Sequence, residues 1–153
     1  LYEQKYLGFN YRLTDIQAAL GISQLKKLNL FLKKRRNIAK TYNQYLDNKN
    51  LILPIEKKYA KSSFHLYVVL VNDDKKKSRN NLINFLKKNK IFTNIHYKPI
   101  HLQPYFKKFG FKKGDFKNAE KYYETAISLP IHPNLKKKEV MMIIKKINNF
   151  FKK

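Results

Sequence analysis

Hydrophobic side chains recur every three or four positions in the first third of the chain, the spacing of one face of an α-helix. This pattern runs through residues 14–46 and is broken once, at Arg35. At its start, Thr14 and Gln17 have the spacing of a capping box, in which each side chain bonds the backbone amide of the other residue. The sequence therefore predicts one helix of roughly 48 Å, long enough to bend or to run along a neighbour outside this chain.

Two short runs later in the chain are rich in β-branched and aromatic residues, which is typical of strands. Residues 64–71 form the clearer run, and residues 91–97 form the second, with alternating faces. Between them, residues 79–89 have helical spacing, and Ser78 is placed to cap that helix. A strand, a helix and a strand in this order predict one crossover unit, which is right-handed if the strands are parallel.

Helical spacing returns three times toward the C-terminus. It predicts a short aromatic helix over residues 102–109 that Gly110 ends, a helix over 118–126 and a last helix over 136–152. A short extended piece at residues 127–130 separates the last two. The chain as a whole is predicted to have an α/β (α+β) fold.

Positive charge is the most unusual property of the composition, with 34 Lys and Arg against 10 Asp and Glu and a formal net charge of +24. One interpretation is a basic module that binds nucleic acid. The other is compositional drift, because only four of these cations are Arg, the side chain that specific phosphate and base recognition prefers. Since Lys pairs are spread along the whole chain, the pattern favours drift, with weak non-specific binding of polyanions under either interpretation.

Side chains that could form a complete catalytic site are few. The chain has no Cys, which excludes disulfides, thiolate metal sites and a cysteine nucleophile. Its four His lack the spacing of metal ligands, and neither Gly-rich phosphate-binding pattern occurs. No apolar run approaches the ~20 residues that cross a bilayer. We therefore predict no catalytic residue, no metal site and no membrane partner.

One segment before the long helix combines groups that bind anions. Asn10 and Arg12 alternate with aromatic residues just before a helix start, and a guanidinium there suits a phosphate or a carboxylate. The alternative is that Arg12 pairs with Asp15 and that Asn10 only caps a turn.

A second segment, residues 96–101, combines two imidazoles, a phenol and an ammonium at a predicted strand end, where binding residues often lie. These groups suit a sugar or a phosphate. The alternative is a strand that turns sharply at Pro99 and leaves its polar groups in water.

Four stretches in a fixed order carry known motifs: residues 8–21, residues 63–67, residues 96–101, and Ala119-Glu120 followed by residues 128–133. In this order they cover nearly the whole chain. The chain resembles the C-terminal part of the DegT/DnrJ/StrS-type sugar aminotransferases, which use pyridoxal 5′-phosphate (PLP). Within that family, it is similar to the transaminases that aminate a UDP-linked 4-keto-6-deoxy sugar for pseudaminic acid synthesis.

The resemblance implies the fold-type I aminotransferase architecture and a cytoplasmic homodimer. A large N-terminal domain of the family carries the lysine that binds PLP. Residues 1–13 would then end the large domain, residues 14–46 would form a linking helix, and residues 47–153 would form the small α/β domain. The implied reaction moves an amino group from an amino acid, expected to be glutamate, to a nucleotide sugar, with no specific nucleic acid as partner.

The resemblance also assigns roles to four residues. Asn10 matches the residue whose amide reaches the PLP phosphate of the partner subunit, and Arg12 matches a neighbouring cation. Tyr97 and His101 match positions near the nucleotide-sugar pocket. Residues 63–65 resemble the opening of the PLP-lysine motif, but no lysine follows at the required spacing. We therefore expect the isolated chain to be inactive. A basic nucleic-acid-binding module and a degenerate remnant kept as a dimer partner are the alternatives.

Overall fold

The computed structural model describes residues 3, 5–9, 11–47, 49–72 and 78–152. Within these residues the chain forms helices and one small sheet, which confirms the predicted α+β fold class. In chain order the elements are α1 (Asp15–Leu25), α2 (Leu28–Tyr45), β1 (Leu51–Ile52), β2 (Tyr67–Val71), α3 (Arg79–Lys88), a 3₁₀ turn (Ile100–Leu102), α4 (Pro104–Lys107), α5 (Lys117–Thr125), β3 (Ala126–Leu129) and α6 (Lys137–Lys152).

The sheet has the strand order β1-β2-β3, and both pairings are antiparallel. Tyr67 lies opposite Leu129 and Val69 opposite Ile127, so these four side chains share one face. All four are buried, whereas Val68 on the other face is half-buried. The sheet therefore places one face against the core, and α5 packs near the other.

The hydrophobic core fills the space between the first of these sheet faces and helices α2, α3 and α6. Helix α6 contributes Val140, Ile144, Ile147 and Phe151, the four residues that its spacing predicts for its buried side. Each aliphatic side chain buried this completely stabilises the fold by roughly 1.5–3 kcal/mol. The core also contains Ile38, Ala39, Tyr42, Leu46, Leu51, Val71, Leu82, Leu86, Ile91 and Ile143.

Helix α1 begins at the predicted capping box. The Thr14 hydroxyl accepts a bond from the Gln17 amide, and Gln17 Oε1 accepts one from the Thr14 amide at 3.0 Å. Both bonds use backbone groups that a helix start leaves without intrahelical partners. The prediction of a helix start at Thr14 is therefore confirmed.

The single helix predicted over residues 14–46 is instead two helices, with a turn at Lys26 and Lys27. In that turn the Lys27 amide bonds the carbonyl of Gln24, three residues back, at 3.0 Å. A bond over three residues tightens the backbone and interrupts the regular four-residue ladder. The apolar spacing continues across the turn, which is why the sequence pattern predicts one helix.

Apolar side chains before and within α1 face solvent in this chain. No residue of α1 is buried. Leu7 is 97% exposed, Phe9 84% and Leu25 68%. Among the residues that the structure describes, the core therefore begins in the second half of α2, where Ile38 is the first buried residue of the helix.

The strand predicted over residues 91–97 is wrong, and so is the crossover unit built on it. Only Asn94 pairs with the sheet there, through an isolated antiparallel bridge to Ser128. The next amide, that of Ile95, bonds the Asn94 side chain at 2.8 Å instead of a neighbouring strand. Since Asn side chains compete in this way with sheet ladders, the pairing stops after one residue. Strand β2 instead pairs with β3, which comes much later in the chain.

The other predicted helices are present within two residues of their expected ends. Ser78 caps α3 by accepting a bond from the Asn81 amide, as predicted. Gly110 follows α4 with a φ of +92°, a conformation that favours glycine.

Candidate functional site

Arg35 holds together two of the motif stretches. Its Nη1 donates to the carbonyls of His65 and Ile131 at 3.0 Å each, and to that of Phe64 at 3.3 Å. Charged donors form stronger hydrogen bonds than neutral ones. Arg35, which interrupts the apolar face of the helix, therefore connects α2 by hydrogen bonds to the residues just before β2 and to the segment after β3.

Two tyrosines strengthen the same junction from inside the core. The Tyr42 hydroxyl donates to the carbonyl of Pro130 at 2.8 Å, and the Tyr67 hydroxyl donates to Oδ1 of Asn43. Burial, followed by the nearby Tyr67, raises the pKa of the Tyr42 hydroxyl. Tyr42 is therefore neutral at every physiological pH and remains a donor to Pro130.

His96 lies beside a cavity of about 350 Å³ between the end of β3 and residues 92–96. Its Nδ1 lies 2.8 Å from the hydroxyl of Ser128, a buried residue on β3. Thr93 Oγ1, which is also buried there, has no hydrogen-bond partner within the described part of the chain. The cavity therefore combines an imidazole with hydroxyl groups.

His101 lies on the 3₁₀ turn and is buried, with 7% of its side chain exposed. Its Nε2 lies 2.9 Å from Oε1 of Glu120 on α5, whose side chain is 8% exposed. The hydrogen bond from His101, with backbone bonds from Gly114 and Phe116, lowers the pKa of the Glu120 carboxyl below its ordinary value. Glu120 is therefore ionised at neutral pH.

Aromatic and basic side chains alternate on the segment between His101 and Glu120. We call residues 103–116 the aromatic segment. Lys108 Nζ lies 3.7 Å from the ring centre of Tyr105, a cation–π distance. The exposed aromatic rings of the aromatic segment are those of Tyr105, Phe106, Phe109, Phe111 and Phe116.

The four residues expected at the site fall in different environments. Asn10 lies outside the described residues. Arg12 is exposed before α1, and Tyr97 is 72% exposed next to His96. His101 is turned into the protein, so its Nε2 is occupied by Glu120. The roles assigned to these four residues stay predictions.

Sequence reasoning missed three polar residues that organise these segments: Arg35, Ser128 and Glu120. The interruption of the apolar face was a signal for Arg35, because a cation on a core-facing stripe needs acceptors there. Glu120 and Ser128 belong to recognised motifs, but their contacts come from residues 19 and 32 positions away and carry no local signal.

The described ranges of the chain contain neither a cluster of metal ligands nor a membrane-spanning helix. No group of three or more His, Cys, Asp or Glu is close enough there to hold a metal ion. Of the helices described, none combines the length and apolar character needed to cross a membrane.

Sequence comparison identifies relatives along most of the chain. The model of the DegT/DnrJ/EryC1/StrS aminotransferase family matches residues 1–148. The uncharacterised protein MJ1066 of Methanocaldococcus jannaschii is 47% identical over 94% of this chain. The UDP-4-amino-4,6-dideoxy-N-acetyl-beta-L-altrosamine transaminase of Helicobacter pylori is 36% identical over 92% of it. The chain spans 38% of the length of each of these two relatives.

Solved structures share the fold. PseC of Helicobacter pylori, an aminotransferase of pseudaminic acid biosynthesis, matches 98% of this chain with a TM-score of 0.85 and 36% identity, over 40% of its own length. The PLP-form of Spr1654 from Streptococcus pneumoniae, assigned as a sugar aminotransferase, matches 92% of this chain with a TM-score of 0.84 and 32% identity, over 36% of its own length. The fold described above therefore corresponds to the C-terminal part of fold-type I sugar aminotransferases.

Proposed function

Because this chain belongs to the DegT/DnrJ/EryC1/StrS aminotransferase family, we propose that it is the C-terminal portion of a PLP-dependent nucleotide-sugar aminotransferase. The proposed reaction moves an amino group from an amino acid, with glutamate as the expected donor, to a UDP-linked 4-keto-6-deoxy sugar. The relatives named as a UDP-sugar transaminase and as PseC support this substrate class. The cytoplasmic homodimer that the family resemblance implies is part of the same proposal.

The exposed apolar surface at the start of the chain is the observation that carries this proposal. Leu7, Phe9 and Tyr11 are each more than 80% exposed, and α1 buries no side chain within this chain. Exposed apolar groups this dense are typical of surfaces that another protein segment covers. In the proposal, a PLP-binding domain of the same polypeptide or of its dimer partner covers these apolar side chains.

The residues present suit only one end of the cofactor. Arg12 carries a planar guanidinium that can pair with a phosphate, and it is exposed just before a helix start. No lysine follows residues 63–65 at the spacing of the PLP-lysine motif. The carbonyls of Phe64 and His65 instead accept hydrogen bonds from Arg35. Asn10 and Arg12 are therefore proposed to hold the phosphate, while the ring is bound by polypeptide outside these residues.

The chemistry is divided between the cofactor and this chain. PLP, when bound, supplies the electron sink that amino transfer requires. In the proposal, Tyr97 and His101 bind the nucleotide sugar, and the small domain closes the site and excludes water. Since the chain contributes no lysine at the motif spacing, it is proposed to be inactive when isolated.

We expect Asn10→Ala, in the complete enzyme that carries this chain, to raise the PLP dissociation constant about 10- to 100-fold. The reason is that one hydrogen bond to a charged phosphate contributes about 1.5–3 kcal/mol. The measurement is a fluorescence titration of the apoenzyme with PLP, together with turnover at saturating substrate.

The matched control is Asn149→Ala, which removes the same side chain from an exposed position on α6. An unchanged PLP affinity in Asn10→Ala would contradict the proposed role of Asn10. Amino transfer by the purified 153-residue chain alone would contradict the division of the site between two segments.

A further inference from the structure

One carboxylate oxygen joins two separate segments near the predicted substrate site. Glu120 Oε1 lies 2.9 Å from His101 Nε2 and also accepts the Gly114 amide at 2.7 Å. His101 lies on the 3₁₀ turn, whereas Gly114 lies in the aromatic segment. Both therefore depend on a side chain of α5 for their position.

The charge of Glu120 determines which His101 nitrogen carries a proton. An ionised carboxylate can only accept hydrogen bonds, so Nε2 of His101 must donate. Nδ1 is then the ring atom that can accept a proton or a hydrogen bond. Glu120 thus fixes both the ring orientation and its tautomer.

The same carboxylate fixes the end of the aromatic segment. Gly114 has a φ of +101°, and Asp115 Oδ2 accepts the Lys112 amide at 2.9 Å, so the chain turns tightly there. The Phe116 ring packs on His101 with centroids 4.8 Å apart. A change at Glu120 therefore reaches the imidazole and the aromatic segment together.

We propose that Glu120 is a positioning residue that holds His101 and the aromatic segment in the arrangement that receives the nucleotide sugar. The link to the sugar rests on the proposed function, whereas the positioning itself can be tested in the isolated chain. Glu120 does not contact the reacting atoms in this proposal, because it acts through His101 and Gly114.

A second glutamate on the same helix provides a matched control. Glu124, one turn further along α5, lies 3.4 Å from Lys113 of the aromatic segment. Its side chain is 55% exposed and that of Lys113 76%, so this ion pair is solvent-screened. Glu120→Gln and Glu124→Gln thus remove the same charge from a buried and an exposed contact between the same two segments.

The first measurement is amide hydrogen exchange of the 153-residue chain by NMR. We expect Glu120→Gln to reduce the protection of the Gly114 amide at least tenfold, and Glu124→Gln to change it less than twofold. Glutamine keeps the shape and an acceptor oxygen, so a loss of protection reports the charge. Unchanged Gly114 protection in Glu120→Gln would overturn the proposal.

The pH dependence keeps the test valid even if the variant folds poorly. The Glu120 carboxyl has a lowered pKa, so its contribution is complete above the ordinary value and is lost as the pH falls through the lowered one. Among the described residues His101 is the titratable group in contact with Glu120, while Asp115 binds a backbone amide and Lys113 faces Glu124. Wild-type Gly114 protection should therefore persist to below pH 4.5 and then fall. Loss of that protection between pH 7 and 5 would overturn the proposal.

The second measurement uses the complete enzyme. We expect Glu120→Gln to raise the KM for the nucleotide sugar about tenfold, with the KM for the amino donor unchanged and kcat within about twofold. If wild-type enzyme transfers no amino group, the proposed function fails while the exchange result still decides the positioning role. If wild type is active and the sugar KM is unchanged in Glu120→Gln, the inference fails and the proposed function stands.

Discussion

Replacing Arg35 with methionine is expected to lower the free energy of unfolding of the chain by about 3 kcal/mol. Methionine keeps the unbranched apolar stem, but it removes the donor from three carbonyls, those of Phe64, His65 and Ile131. Each carbonyl left without a partner costs about 1–3 kcal/mol when buried. Here the bonds to Phe64 and Ile131 are partly buried and the bond to His65 is exposed, so the expected loss is well below three full penalties. Urea unfolding followed by far-UV circular dichroism measures the change, provided that the slope of the transition stays constant.

Arg36→Met is the matched control, because Arg36, the next residue of the helix, donates from Nε to a single carbonyl, that of Ser62, at 2.9 Å. We expect that variant to lose about 1 kcal/mol or less. Arg35→Lys should fall between the two, since an ammonium cannot reproduce the guanidinium geometry. Equal losses in Arg35→Met and Arg36→Met would show that the carbonyl cluster does not stabilise the junction.

Replacing Ile147 with alanine is expected to destabilise the chain by about 2–5 kcal/mol. Ile147 is fully buried in α6, so the shorter side chain leaves a cavity in addition to losing apolar burial. The same measurement on Leu20→Ala is expected to give less than about 0.5 kcal/mol. Leu20 lies on α1 and is 61% exposed, so its shortening to alanine removes few packing contacts and little buried apolar surface.

The comparison of these two variants tests whether α1 belongs to the core of this chain. A loss above 1 kcal/mol in Leu20→Ala would mean that α1 packs against the rest of the chain in solution. In the complete enzyme, the proposed function predicts a different result: Leu20→Ala should destabilise there, because α1 then has a neighbour.

Local signals predicted the helices of this chain well, except that they joined α1 and α2 into one helix. Ser78 is a short polar side chain directly before a three-four apolar pattern, and Thr14 has Gln17 at the capping distance, so both helix starts follow from nearby residues. Helix α6 follows from its spacing alone. These features depend on residues within one or two helical turns of each other.

Pairing between distant segments could not be predicted in the same way. Residues 91–97 alternate like a strand, but within them only Asn94 pairs with the sheet, through its bridge to Ser128. Strand β3 has just four residues, and nothing in its composition indicates that β2 is its partner. The antiparallel order of the sheet is set by core packing of residues far apart in the chain, which local periodicity does not encode.

The candidate site shows the same division. The family motifs located Arg12, Tyr97 and His101 in the sequence, but the side chain that holds His101 comes from a later helix. The binding of cofactor and sugar by these residues stays a prediction of the proposed function.

The limits of the sheet have a consequence for solution behaviour. Strand β1 is one edge strand of the sheet and has only two residues. At the opposite edge strand, β3, the bridge from Asn94 pairs with part of the free edge. Long open borders are what allow sheets of different molecules to join into fibrils. If the purified chain aggregates, we therefore expect the exposed apolar side chains of α1 to form the contacts. The aggregates should be amorphous and reversible with detergent, without cross-β order.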